Sequence, residues 1–194
     1  MSDQPQAVLL DSNAYFRLAC SIRPLLKGAF GEAPPYTLFV LAALDEEYRR
    51  SIRLQSKFQW VVETEYRNDR AAKLYQLNRK KLEEADRALR FFADFADYHK
   101  LNVSLVDLKA LAVGFVDTIP VVTDDTDMTT VAEAHDIECW SCIKLLKLMC
   151  ATGHIDDEKV TEVLEYIQYE KDLPMSLERP RKTFKDYFGK DCPI

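Results

Sequence analysis

Short apolar runs separated by helix-like stretches restrict this chain more than any other feature does. They run from Ala7 to Leu10, Thr37 to Val40, Asn102 to Val106 and Ile119 to Val122, with a weaker fifth from Glu138 to Trp140. Each is too short to be a helix. Strands that alternate with helical crossovers pair in parallel, so the expected class is α/β. The expected architecture is a three-layer α/β/α sandwich around a parallel sheet of four to five strands.

The longest crossover follows the second run. Residues 45–98 contain neither Pro nor Gly and are rich in Leu, Ala, Glu, Lys and Arg. This predicts a helical insertion over about 45–100, read as two long helices that break near Asn68-Asp69. Leu74, Leu77, Leu82, Ala85, Leu89, Phe92 and Phe95 keep roughly helical spacing, and Phe91, Phe92, Phe95 and Tyr98 read as core. After the fifth run come a helix over 142–151, a stop at Gly153, and a helix opened by Asp156-Asp157-Glu158 and closed by Pro174. Phe184, Tyr187 and Phe188 are docking points for the tail. The reading is one domain over 1–150, with the 151–194 helix and tail packed on it.

Of the 194 residues 47 % are apolar, enough for a core that needs neither disulfide nor metal. The longest apolar run, Leu38 to Leu44, is far short of the ~20 residues of a membrane span. The start, Met1-Ser2-Asp3-Gln4-Pro5, has no basic or apolar leader region, and five cysteines is an odd number. These features predict a cytoplasmic protein without a membrane. The net charge of −6 speaks against uniform nucleic-acid binding, but its distribution does not. Arg49 to Lys81 holds ten bases against Glu63, Glu65 and Asp69, a net +7. That stretch reads either as a solvated helical face or as a basic arm for a polyanion, with Arg49, Arg50, Arg53 and Lys57 as its first contacts.

The acids follow the apolar runs. Asp11 comes directly after the first, Asp107 just past the third, and Asp125 three residues beyond Val122. Glu46 and Glu47 follow the second by about two helical turns. Any one such Asp is more simply a helix N-cap, and Asp11-Ser12-Asn13 is a good one. Together, at the carboxyl ends of parallel strands, they converge on one crevice, where their mutual repulsion calls for a cation. Hard oxygen ligands suit Mg²⁺ or Mn²⁺, the usual equipment of phosphodiester hydrolysis.

In this arrangement the sequence resembles the PIN-domain nucleases over residues 7–150. Leu9-Leu10-Asp11-Ser12-Asn13 is similar to their opening strand and acid. Asp107-Leu108-Lys109-Ala110-Leu111-Ala112 is similar to their Asp and apolar helix start. Val121-Val122-Thr123-Asp124-Asp125-Thr126-Asp127-Met128 is the most specific match, and His135 to Trp140 parallels the last short strand. The resemblance implies metal ligation by Asp11, Asp107 and Asp125, with Glu47 rather than Glu46 as the second acid, although Asp45-Glu46-Glu47 leaves that choice open. It implies an ordering role for the Thr123 hydroxyl, an outer role for Asp127, and a dispensable Asp124. It also implies an endoribonuclease, the toxin of a toxin–antitoxin pair or a solitary processing enzyme, with a small antitoxin partner and a homodimer among the family's habits. The region between Glu47 and Asp107, and the tail, are longer than in compact toxin-type members.

Two other functions compete. A phosphatase using Asp11 as nucleophile would want a second Asp two residues on, where this chain has Asn13. A catalytically silent interaction module on the same sheet would bind no ion. Cys139-x-x-Cys142 reads as two ordinary cysteines rather than a redox or zinc motif, and His99, His135 and His154 form no triad.

Overall fold

The computed structural model describes residues 4–169 and 178–193. Among them a four-stranded parallel sheet is built from β1 (Gln6–Leu10), β2 (Tyr36–Phe39), β3 (Val121–Val122) and β4 (Cys139–Trp140), in the order β2-β1-β3-β4. Leu9 pairs with both Phe39 and Val121, and Val122 pairs with Trp140. Because β2 lies to one side of β1 and β3 to the other, the winding direction reverses between β1 and β3. A crevice opens at such a switch point, beyond the carboxyl ends of the two strands.

Successive strand residues point to opposite faces, and the core divides accordingly. Val8, Leu10, Leu38, Val122 and Trp140 face one cluster; Leu9, Val121 and the half-buried Phe39 and Cys139 face the other. The first cluster is covered by α1 (Ser12–Leu18), α8 (Cys142–Ala151), α9 (Asp157–Tyr169) and Phe184 of α10 (Glu178–Phe188). The second is covered by α5 (Arg79–His99), α6 (Leu105–Asp117) and α7 (Thr126–Ala134). The result is the expected α/β/α sandwich. Gly153 ends α8 at φ +66°, a left-handed turn that glycine takes without steric cost. Pro174, expected to close α9, lies outside the described residues.

Three expectations are corrected. Asn102 to Val106 is not a strand. The Ser104 hydroxyl accepts the Asp107 amide at 3.2 Å and the Asp107 carboxylate accepts the Ser104 amide at 3.2 Å, a reciprocal cap that starts α6 there. Asp107 therefore stands in the first turn of a helix, not at a strand end.

The insertion is not two helices broken at Asn68-Asp69, which lie inside α4 (Thr64–Ala72). It is α2 (Ala43–Arg50), α3 (Ile52–Lys57), a 3₁₀ turn (Gln59–Val62), α4 and α5. Ser51 restarts the helix by capping Leu54, and Phe58, stacked on Phe16 at 5.0 Å, pins the next break in the core. The final break arises because Lys73–Tyr75 pairs with Val40 beyond the end of β2, through Val40 N to Lys73 O and Tyr75 N to Val40 O.

The third correction concerns the α5 aromatics. Phe92 is buried, but Phe91 and Tyr98 are 60 % and 83 % exposed.

Candidate active site

Asp11 leaves the end of β1 and caps α1 by accepting the Ala14 amide, while its own amide donates to Val122 O at 3.1 Å. The first acid is thereby locked to the last residue of β3. Thr123 follows β3, its amide donating to Trp140 O at 2.9 Å and its hydroxyl accepting the Asp125 amide at 3.1 Å. The same hydroxyl sits against the Asp11 carboxyl. Thr123 thus bonds Asp125 and Asp11 at once. Asp125 caps α7 through Oδ1 to the Met128 amide at 2.8 Å.

Burial dominates the electrostatics. Asp11 is 3 % exposed, and loss of hydration pushes its pKa up to about 7; the Asp107 charge adds to the rise, and Thr123, the Ala14 amide and Arg17 oppose it. Glu47 is raised by burial and by Asp107, with Ser12 bonding its carboxyl in opposition. Asp107 is raised by burial and by Asp125, against the Ser104 bonds. Asp107 is therefore the hub, interacting with Asp11, Glu47 and Asp125 alike. Asp11 Oδ2 and Glu47 Oε2 are both buried without a hydrogen-bond partner. A cleft about the size of one water molecule, walled by Leu10, Leu41, Leu44 and Val106, receives Asp11, Ser12 and Asp107.

The three consecutive acids of α2 separate cleanly. Glu47 turns to Ser12, Glu46 is exposed, and Asp45 bonds Arg70. Asp127 does not join the cluster: its Oδ2 accepts the Asn102 amide at 2.9 Å, bracing the loop ahead of α6. Asp124, expected to be dispensable, bonds Arg17 at 3.0 Å and the Cys142 amide at 3.0 Å, so it ties α1 to the start of α8. Arg50 and Arg53 are exposed, Arg49 is exposed and bonds Asp45 O, and Lys57 lies 5.0 Å over the Phe58 ring. The basic segment is not one free arm, since Arg70, Arg79, Lys80 and Lys81 are paired with Asp45, Glu83, Glu84 and Asp117.

Arg17 and the Asp45–Arg70 pair belong to this neighbourhood and were not anticipated; nothing local in the sequence marks partners so distant along the chain. Cys139 and Cys142 side chains enter opposite core clusters, which disposes of a redox pair. His135 stacks on Phe92, His99 packs on Phe95 and His154 meets Phe30, all apart from the acids.

Among the described residues, no three His, Cys, Asp or Glu side chains stand close enough together to hold one ion. The donor chemistry nevertheless fits a hard divalent cation: two orphaned carboxylate oxygens and mutually repelling acids are what such an ion relieves. Among the described residues, no helix is long and apolar enough to cross a membrane. No family model matches the chain, and no curated protein matches it. Among solved structures, it is similar to the crystal structure of FitAcB from Neisseria gonorrhoeae, at a TM-score of 0.45 and 14 % identity, over 70 % of this chain and 97 % of that one.

Proposed function

We propose that this chain is a Mg²⁺- or Mn²⁺-dependent endoribonuclease. What supports the reading is the repulsion of Asp107 with Asp11, Glu47 and Asp125, next to the switch-point end of β1, with two buried carboxylate oxygens unpartnered. These four acids would be the ligands in this reading, although as they stand no three of them are close enough to share one ion, and Asp127 is left out. The chemistry that a divalent ion held by these acids would supply is an activated water and an offset to the charge on the scissile phosphate. Thr123 fixes Asp11 and Asp125 so that little reorganisation is required of them, and Arg50 and Arg53, exposed on α2 and α3, offer charge to a polyanion beside the acids. RNA as substrate, the role of toxin, the small antitoxin and the homodimer rest on the motif resemblance. No observation favours the phosphatase, since Asn13, where the second Asp would stand, is exposed.

Labelled RNA and single-stranded DNA, each incubated with Mn²⁺, Mg²⁺ or EDTA, test the reading. RNA cleavage that requires the metal is expected, and both Asp11→Asn and Asp125→Asn should reduce it by at least about 100-fold while the variants still melt cooperatively. Full activity in both variants, or activity undiminished in EDTA, defeats the assignment. An acid-stable aspartyl-phosphate would install the phosphatase instead, and a melting temperature indifferent to Mn²⁺ would leave the silent module.

A further inference from the structure

Arg70 stands on α4, outside the acid cleft, yet it reaches both helices that present the buried acids. It is 3 % exposed. Its Nε and Nη2 meet Asp45 Oδ1 at 3.0 and 2.8 Å, its Nη1 donates to the Tyr15 hydroxyl at 3.1 Å, and its Nη2 donates to Val61 O at 3.0 Å. Asp45 lies in the first turn of α2, which carries Glu47, and Tyr15 lies in α1, which Asp11 caps. One planar guanidinium therefore spans α1, α2 and the 3₁₀ turn. Consecutive helix residues are rotated by about 100°, so holding Asp45 toward α4 sends Glu46 to solvent and brings Glu47 round to Ser12.

We propose that Arg70 and Asp45 are positioning residues that set the rotation of α2 and its separation from α1, and so deliver Glu47 to Ser12, the neighbour of Asp11. The value of this placement for catalysis rests on the endoribonuclease reading; the placement itself does not. A lysine cannot replace the fork, because a single ammonium lacks the fixed planar donors that reach three elements at once.

The test uses the full chain, metal-free, by NMR. The nuclear Overhauser effect between Glu47 and Ser12 should be present in the wild type and in Glu46→Gln, which removes a neighbouring charge without touching the clamp. It should vanish in Asp45→Asn and Arg70→Lys while the α2 chemical shifts stay helical. If either variant fails to fold, the double substitution Arg70→Met with Asp45→Leu removes the pair without leaving a buried charge and serves in its place. With Mn²⁺ and RNA, Asp45→Asn and Arg70→Lys should fall about tenfold or more in kcat with KM within about twofold of wild type, and Glu46→Gln should match the wild type. A Glu47–Ser12 effect that persists in the folded clamp variants overturns the proposal, whatever their activity. Its disappearance in the variants of a protein whose wild type cleaves no RNA keeps the clamp and discards the nuclease.

Discussion

Asp11 does two jobs with one carboxylate. One oxygen caps α1 and the other is buried without a partner, and the loss of hydration there raises the pKa of the group. The folded state holds its proton up to about 7, whereas an unfolded Asp releases it near 3.8. Between those values the native state binds more protons than the unfolded one, so this group's contribution to stability is fullest below the lower value and declines as pH rises through the window. The decline amounts to about 4 kcal/mol, since each tenfold difference in proton affinity between the two states is worth about 1.36 kcal/mol. Glu47 and Asp107, also raised by burial, act in the same sense. In EDTA, the wild type should therefore lose more melting temperature between about pH 5 and 8 than Asp11→Asn, which keeps the cap and has nothing to ionise. Parallel curves for the two proteins contradict the buried-acid account. Mn²⁺ should reverse the trend, because only ionised carboxylates bind it: the rise in melting temperature that it causes should grow from about pH 6 to pH 8. Asp11 and Asp125 were legible singly as helix caps because each closes its bond three residues on, whereas the contact of Thr123 with Asp11 crosses 112 positions and came only from the motif resemblance. The Arg17–Asp124 and Arg70–Asp45 bonds were not, because they join residues 107 and 25 positions apart and depend on packing that no local pattern encodes.

At the level of elements, sequence reading succeeded where one periodicity decided the outcome and failed where capping did. The runs at 7–10, 37–40 and 119–122 carry buried β-branched or apolar residues with turns on either side, and a strand forms at each, the second over Tyr36–Phe39 and the last over Val121–Val122 alone. Asn102 to Val106 has the same composition, but Ser104 and Asp107 satisfy each other's amides and commit the chain to a helix. The helices of the insertion were legible as helical and illegible in their breaks, which depend on Phe58 and Leu74 finding partners distant in the chain. The seating of α6 on β3 makes a firm prediction. A β-carbon added at Gly114 would lie 2.6 Å from Val121 Cγ2 and 3.1 Å from Ile119 O. Gly114→Ala must push α6 off the sheet and should cost about 1–3 kcal/mol in a urea melt, despite the better helix propensity of Ala. An unchanged midpoint would mean that the helix can move freely, and with it Asp107.

For the whole molecule, net charge is a poor guide and its placement a better one. The +7 segment is divided by its own folding: the charges from Arg70 to Lys81 are largely paired, and Arg50 and Arg53 are left exposed on the helices that carry and follow Glu47. If these two bear on phosphates, Arg50→Ala with Arg53→Ala should raise KM for RNA and lower the salt slope of binding by about 0.7 for each phosphate no longer neutralised. An unaltered slope moves the nucleic-acid path elsewhere. The far half of the sheet is made of two-residue strands, and its last rungs are the amides of Asp11 and Thr123 donating to Val122 and Trp140. Asp11 thus stands on the terminal rung of the ladder, with Thr123 on the next, rather than on a loop above it. Those two amides should be among the slowest in the protein to exchange with deuterium, since releasing them means parting the strands. Such a rim is an anvil and not a jaw: Asp11 shifts only if the rung that holds it opens.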